Sequence, residues 1–449
     1  MTSHPTDRRM AALRARMKAT GTGLLALAPG PHMDWLLGFH PHPDERPCLL
    51  LITDAAAAWL MPALNAEGMR EKTDLPFHPW SDADGPDAAL AAALGAVGAA
   101  DARHVALDEA MRADFALLLL DALPGARHSF TAPTLGALRM VKDDAEIAAL
   151  RDSAALADAA MQALLAAARP GISEAALAEV ARSHFIDAGA APSFWIVGAG
   201  GNGAFPHHQA GQRLLERGDA VVVDIGAVKD GFPSDITRMF AVGTPPDGYA
   251  AVHAVAEAAV QAAMQAARPG VRARDVDAAA RGVIADAGYG QYFVHRTGHG
   301  IGIEGHEPPW ITSTSDTVLE EGMTFSIEPG IYLPGRFGIR LEEIVVLRAD
   351  GPEVLSSLPR DLVVVDGCSV LGGGDSGRSG RRRRRDVRRA ATNRHEPDHL
   401  RGSGCRHRDH RCRGPAAEFG RGDSHLRGRA RQGGAAHSGA ARGRLHPPR

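Results

Sequence analysis

Cysteine is nearly absent where a fold would need it. Of four cysteines, Cys368, Cys405 and Cys412 lie beyond residue 366, which leaves only Cys48 before it. A disulfide framework is therefore excluded, and a reducing compartment, the cytoplasm, is the expected location. Long apolar runs are missing too. Phe115–Leu120 is cut short by Asp121, and the Ala/Gly run over 88–100 reads as a small-residue helix. Neither approaches the roughly 18 to 20 apolar residues of a membrane span. The opening MTSHPTDRRMAALRARM has basic residues but no apolar core leading to a small-residue cleavage site, so no secretory signal is expected.

Lysine is absent from residues 367–449, which nevertheless carry 21 Arg against seven acids, a net of +14. The preceding 366 residues carry 29 basic and 46 acidic side chains, a net of −17. Two unlike sequences are joined end to end. A run rich in Arg, Gly, Ala and Pro with almost no large apolar residues cannot build a core, so 367–449 is expected to be a disordered basic tail. A GC-rich coding sequence read out of frame would give this composition and is the preferred account of it. Its apparent motifs, Cys405-x-His407-x-x-His410-x-Cys412, Arg381–Arg385 and Gly420-Arg-Gly-Asp-Ser424, are read as products of composition. The acidic part before it should repel nucleic acid.

The first 366 residues are long enough for two domains. Over 1–135, short apolar runs (Leu24–Leu27, Cys48–Ile52, Trp59–Met61) alternate with helical stretches (Ala88–Val97, Met111–Leu123), an α/β pattern. From 136 to 366 a second domain is expected. Asp143 and Glu146 have the spacing of a capping box and should open a long helix there.

This second part repeats itself. Residues 168–190, ARPGISEAALAEVARSHFIDAGA, match 267–289, ARPGVRARDVDAAARGVIADAGY, 99 residues on. Each copy reads as helix, Pro-Gly break, amphipathic helix and Gly stop. The strands repeat as well. Gly218 to Gly226 lines up with Gly322 to Gly330, and both copies end an apolar strand on an acid, Asp224 or Glu328. Two α/β halves facing each other are implied, with ligands between them.

Each half offers a second acid. Asp224 and Asp235 flank the turn signal Lys229-Asp230-Gly231, and Glu328 and Glu342 flank Pro334-Gly335-Arg336. If each pair is a hairpin, its acids fall on adjacent strands, where directly opposed Cβ atoms lie about 4.5–5.5 Å apart. Four buried carboxylates so close cannot all stay ionised without cations between them. Two metal ions solve that problem and make a hydrolytic site. A single acid of this kind could be a solvated strand end, but two symmetric pairs in a duplicated frame point to ligands. Between the hairpins, His295, His299 and His306 sit in a Gly-rich segment that cannot be a stable helix. Gly198-Ala-Gly200-Gly-Asn-Gly203 fits a dinucleotide fingerprint, but Phe205-Pro206-His207-His208 follows where that motif requires a helix.

The set PHH (206–208), VVDIGAVKDGFPSDITR (222–238), HRTGHGIGIEGHEPP (295–309), SIEPGIY (326–332) and GIRLEE (338–343) resembles the Xaa-Pro dipeptidase and aminopeptidase P family, metallopeptidases of the pita-bread fold. The resemblance runs from about residue 5 to 365. It implies an α/β (α+β) chain with a smaller creatinase/prolidase-type domain before a pita-bread catalytic domain with an internal pseudo-twofold repeat. It implies five metal ligands: Asp224, Asp235, His299, Glu328 and Glu342. Asp235 and Glu342 would bridge two ions, Asp224 would hold one, and His299 and Glu328 the other. His207, His295 and His306 match the family's non-ligand active-site histidines, and Tyr332 and Arg340 its outer Tyr and Arg. A hydroxide bridging the ions would attack the amide. Glu328 would carry its proton to the leaving amine, His306 would stabilise the oxyanion, and His207 would bind substrate. Four carboxylates and one imidazole form a hard set that favours Mn²⁺, with Co²⁺ or Zn²⁺ as substitutes. The expected partners are a peptide or small amide substrate and a second copy in a homodimer, with no nucleic acid and no membrane. Removal of a residue before proline and splitting of an Xaa-Pro dipeptide both remain open. So does action on a non-peptide molecule of the ectoine, sulfoniopropionate or creatine type, although creatine hydrolases of the fold lack the full ligand set. A non-catalytic binding protein would be marked by lost ligands, and none is lost.

Overall fold

The structure is a computed structural model that describes residues 5–366. The sequence readings of the basic tail, residues 367–449, lie outside the described residues. No helix among the described residues is long and apolar enough to cross a membrane.

The first part is a six-stranded mixed sheet with helices on its faces. Its strands run in the order Phe77–Trp80, Ala57–Pro62, Leu49–Ile52, Leu24–Leu27, His104–Leu107 and Arg127–Phe130. The central strands LLAL and LLLI are buried along their whole length, as expected of a sheet covered on both faces. Leu24, Leu49 and Leu60 pack on one side with helices Asp87–Ala96 and Ala113–Ala122, while Leu25, Leu50 and Trp59 pack on the other with Pro5–Thr20 and Pro31–Leu37. A short helix, Ala137–Met140, then leads to Asp143. Asp143 accepts from the backbone of Ala145 and Glu146 while Glu146 reaches back to its N–H, so the expected capping box opens the helix Asp144–Ala167.

The remainder contains the repeated halves. Helices Asp144–Ala167 and Glu174–Asp187 cover a sheet ordered Val363–Val365, Ile236–Val242, Ala220–Lys229, Ala191–Ala199. Helices Tyr249–Ala266 and Ala273–Asp286 cover a second sheet, ordered Glu307–Ile311, Gly298–Gly300, Thr324–Ile327, Glu343–Arg348, Gly351–Val354. The strand Ala220–Lys229 explains how the halves meet. Side chains alternate across a strand. Val221, Val223 and Ile225 face the first half's helices beside Leu177 and Phe185, each contributing about 1.5–3 kcal/mol by burial. Ala220 and Val222 face the other way, against Phe325, Phe337 and Ile339 of the second half. Asp224 shares that second face, so alternation alone aims it between the halves.

The glycines of the apparent dinucleotide fingerprint have a different use. The strand Ala191–Ala199 ends in a short turn, Gly200–Ala204, and no phosphate-binding helix follows. A Cβ at Gly338 would run into the Gly203 carbonyl, so glycine there lets the hairpin of the second half lie against this turn.

Candidate metal centre and active site

The two acid pairs arise from two hairpins of different register. In the second half, Ile327 pairs with Glu343 and Gly330 with Arg340, so Glu328 and Glu342 stand opposite each other, as the turn position predicts. In the first half, Thr237 rather than Asp235 pairs with Asp224. The turn is the two-residue Asp230-Gly231, with φ of 50° and 84° and Lys229 paired to Phe232. This centres the hairpin one residue beyond the midpoint of the two acids, and they become diagonal neighbours on one face.

Ligand oxygens and nitrogens converge at this point. Atoms of Asp224, Asp235 and Glu342 lie within 4.8 Å of one another, as do atoms of His299, Glu328 and Glu342. Asp235, His299 and His306 form a further such group, which brings the ring of His306, expected to be a non-ligand, within reach of the same centre. The His299 and His306 ring centroids are 3.9 Å apart. His299 comes from the strand Gly298–Gly300, where its Nδ1 donates to the Gly300 carbonyl at 3.1 Å. The other nitrogen, Nε2, lies 3.3 Å from Glu328 and 3.6 Å from Asp235.

Electrostatics decide what this cluster can hold. Burial, reinforced by the neighbouring carboxylates, raises Asp235 and Glu342 well above the usual carboxylate range. Burial also raises Asp224, against the pull of Arg340. Glu328 differs: burial opposes its ionisation, but the hydrogen bond and charge of His299, with Arg340 and His295 beyond, hold it down at about 2. Among the described residues, Arg340 is the guanidinium that contacts these acids. It bonds Asp224 through Nη2, Thr237 Oγ1 at 3.1 Å and Tyr332 Oη at 2.9 Å. Thr237 in turn donates to Glu342 at 2.7 Å. Asp224 Oδ1 and Glu342 Oε1 remain buried with no hydrogen-bond partner. Orphaned carboxylate oxygens in an acidic, desolvated cluster fit divalent cations.

The expected histidines separate. His207 is exposed and lines the cavity of about 600 Å³ over the acids. Its neighbour His208 turns away to bond Glu174 at 2.9 Å. His295 has both nitrogens engaged, Nδ1 donating to the Arg296 carbonyl at 2.7 Å and Nε2 meeting the Tyr332 hydroxyl at 2.8 Å. Burial, with His299 and Arg296 adding to it, lowers His306 to about 4. The same cavity has an apolar wall, Phe194 and Ile196, and a cation, Arg296, stacked 4.5 Å from the Trp310 ring. The sequence reading missed these three. Phe194 and Ile196 alternate on a half-exposed strand, a signal that was present in the sequence but pointed to no function.

Two family models match this chain: "Creatinase/Prolidase N-terminal domain" over residues 9–141 and "Metallopeptidase family M24" over residues 148–349. The chain belongs to metallopeptidase family M24, with the pita-bread catalytic fold behind a creatinase/prolidase-type N-terminal domain. It is 40% identical over 365 residues to the probable dipeptidase PepE of Mycobacterium tuberculosis, covering 80% of this chain and 96% of that one. It is 30% identical over 339 residues to an Xaa-Pro dipeptidase of Pyrococcus horikoshii, covering 75% and 93%. The crystal structure of dipeptidase PepE from Mycobacterium ulcerans superposes with a TM-score of 0.77 at 38% identity, covering 81% of this chain and 98% of that one. Membership of a metallopeptidase family implies divalent metal ions and an enzyme.

Proposed function

We propose that this chain is an Xaa-Pro dipeptidase whose centre holds two divalent cations on Asp224, Asp235, His299, Glu328 and Glu342. The observation that carries the reading is the imbalance of charge: four inward carboxylates, one guanidinium in contact with them, and two buried oxygens without partners. The names of the similar proteins, dipeptidase and Xaa-Pro dipeptidase, support the substrate class. A hard oxygen-rich set favours Mn²⁺.

When bound, the cations supply Lewis-acid charge for the scissile carbonyl and a more acidic water. The side chains do the rest. Glu328, the carboxylate whose pKa is depressed, is free to accept a proton at Oε and return it to the leaving amine. His306 is neutral at physiological pH, so its ring N–H donates to the developing oxyanion without first titrating. His207, exposed at the cavity mouth, hydrogen-bonds the substrate. His295 holds Tyr332, and Tyr332 and Thr237 hold Arg340 against Asp224. Phe194 and Ile196 offer an apolar wall suited to a proline ring. The test is a panel of Xaa-Pro dipeptides, longer Xaa-Pro peptides, creatine and other small amides, assayed with Mn²⁺ after chelator treatment. Cleavage of the dipeptides in preference to the rest is expected. Turnover of only a non-peptide amide would replace this reading with the small-molecule one.

A further inference from the structure

His306 stands between two cavities. It borders both the 600 Å³ cavity over the acids and a second cavity of about 530 Å³ at the junction with the N-terminal sheet. It ends the loop 301–306, which closes where Gly300 pairs with Glu307, the first residue of the strand Glu307–Ile311. His306 brings a ring nitrogen within 4.8 Å of ligand atoms of Asp235 and His299, and the carboxylate of the adjacent Glu307 meets Arg139 and Lys142 at the junction.

Glu307 is 3% exposed there and ties down the loop from two directions. Its Oε2 accepts from the Glu304 backbone N–H at 3.3 Å, within the loop itself. Its Oε1 accepts from Lys142 Nζ at 2.7 Å, and Arg139 bonds its other oxygen. Both cations are buried and lie on the short link between the N-terminal sheet and the helix Asp144–Ala167. Arg139 also bonds Glu304 at 2.7 Å and His32 Nδ1 of the N-terminal part at 2.9 Å. Two cations and two carboxylates balance, so the cluster is an electrically closed clamp on the residue next to His306.

We infer that Glu307, held by Arg139 and Lys142, is a positioning residue that fixes the His306 ring over the acids and couples it to the N-terminal domain. The inference rests on the proposed role of His306 in amide hydrolysis. Misplacement of a catalytic group by about 1 Å can cost on the order of 100-fold in rate.

Glu307→Gln leaves a buried uncompensated charge and can fail to fold. The double variant Lys142→Met/Glu307→Gln restores the balance, because Arg139 keeps Glu304. The measurements are kcat and KM on an Xaa-Pro dipeptide, metal content, melting temperature, and the histidine ring signals of ¹³C-labelled, Zn²⁺-loaded protein. The double variant should melt close to wild type and retain its metal, with kcat down about 10- to 100-fold and KM moved much less. The His306 signal, assigned with His306→Gln, should shift or broaden while that of His208, held by Glu174, stays in place. A double variant with wild-type kcat and an unmoved His306 signal would overturn the inference. So would one that unfolds or loses its metal, since Glu307 would then support the structure at large. If wild type cleaves no Xaa-Pro peptide, the functional reading falls while the His306 signal still decides the positioning.

Discussion

Glu328 and Glu342 stand opposite each other between two ladders that share one register, bracketed by the pairs Ile327–Glu343 and Gly330–Arg340. The ladders on either side hold each near the other whether or not a cation relieves the repulsion. Glu342→Gln should therefore raise the melting temperature of chelator-treated protein, because it removes a buried acid whose ionisation is opposed by burial and by Glu328. In the metal-loaded protein the same change should lower metal affinity and activity. Calorimetry with and without chelator checks this, and a variant less stable in both states would refute it.

The histidines should divide by role. His299→Ala removes the imidazole whose Nε2 meets Glu328 and Asp235, and should lose metal together with activity. His306→Ala should keep the metal and lose turnover, because the contact it makes is needed only as charge develops. Elemental analysis beside kcat separates the two; equal metal loss in both would make His306 a ligand.

Much of this site was legible because it is local. The acid-ended strands, their turn signals and the ARPG repeat are short patterns, and the 328/342 hairpin has the register its turn implies. Asp224 and Asp235 are offset because Asp230 adopts a positive φ and moves the turn, a choice that side-chain spacing does not reveal. The strands Leu24–Leu27 and Leu49–Ile52 and the Asp143 cap were equally legible from apolar runs and cap spacing. The clamp on Glu307 was not, because Arg139 lies 168 residues away and its partners share no pattern. The wall of Phe194 and Ile196 depends in the same way on how two strands approach.

Arg340 holds Asp224 and is fully enclosed by the cluster. Arg340→Met should destabilise chelator-treated protein by about 3–5 kcal/mol, the usual effect of stripping a buried charge of its partner. Added divalent cation should restore part of that loss by mass action. Denaturant titration gives the number, and an unchanged midpoint would remove Arg340 from this role.

Glu174 gives a pH dependence away from the acids. Burial works against its ionisation, but the Ala199 and Gly211 N–H groups, His208 and Asn202 prevail and hold it below its ordinary value of 4.5. A depressed carboxylate stabilises the fold above its unfolded pKa and loses that contribution as pH falls through the folded one. Glu174→Gln should thus be about 1–3 kcal/mol less stable near pH 7, with the gap closing below pH 4.5. A gap independent of pH would show that shape, not charge, matters there.

Truncation after Asp366 retains the strand Val363–Val365, which pairs with Phe240–Val242, and the Arg217 bond to the Asp366 carbonyl. Activity, metal content and melting temperature should stay as they are, and salt-sensitive binding to nucleic acid should fall with the 21 Arg removed. Loss of folding on truncation would contradict the reading of that segment as a solvated tail.

The most direct measurement is a Mn²⁺ titration of chelator-treated protein, following ions bound per chain and hydrolysis of an Xaa-Pro dipeptide in one experiment. Two ions per chain, with turnover rising from none as the sites fill, is the predicted result. Full turnover in metal-free protein would contradict it.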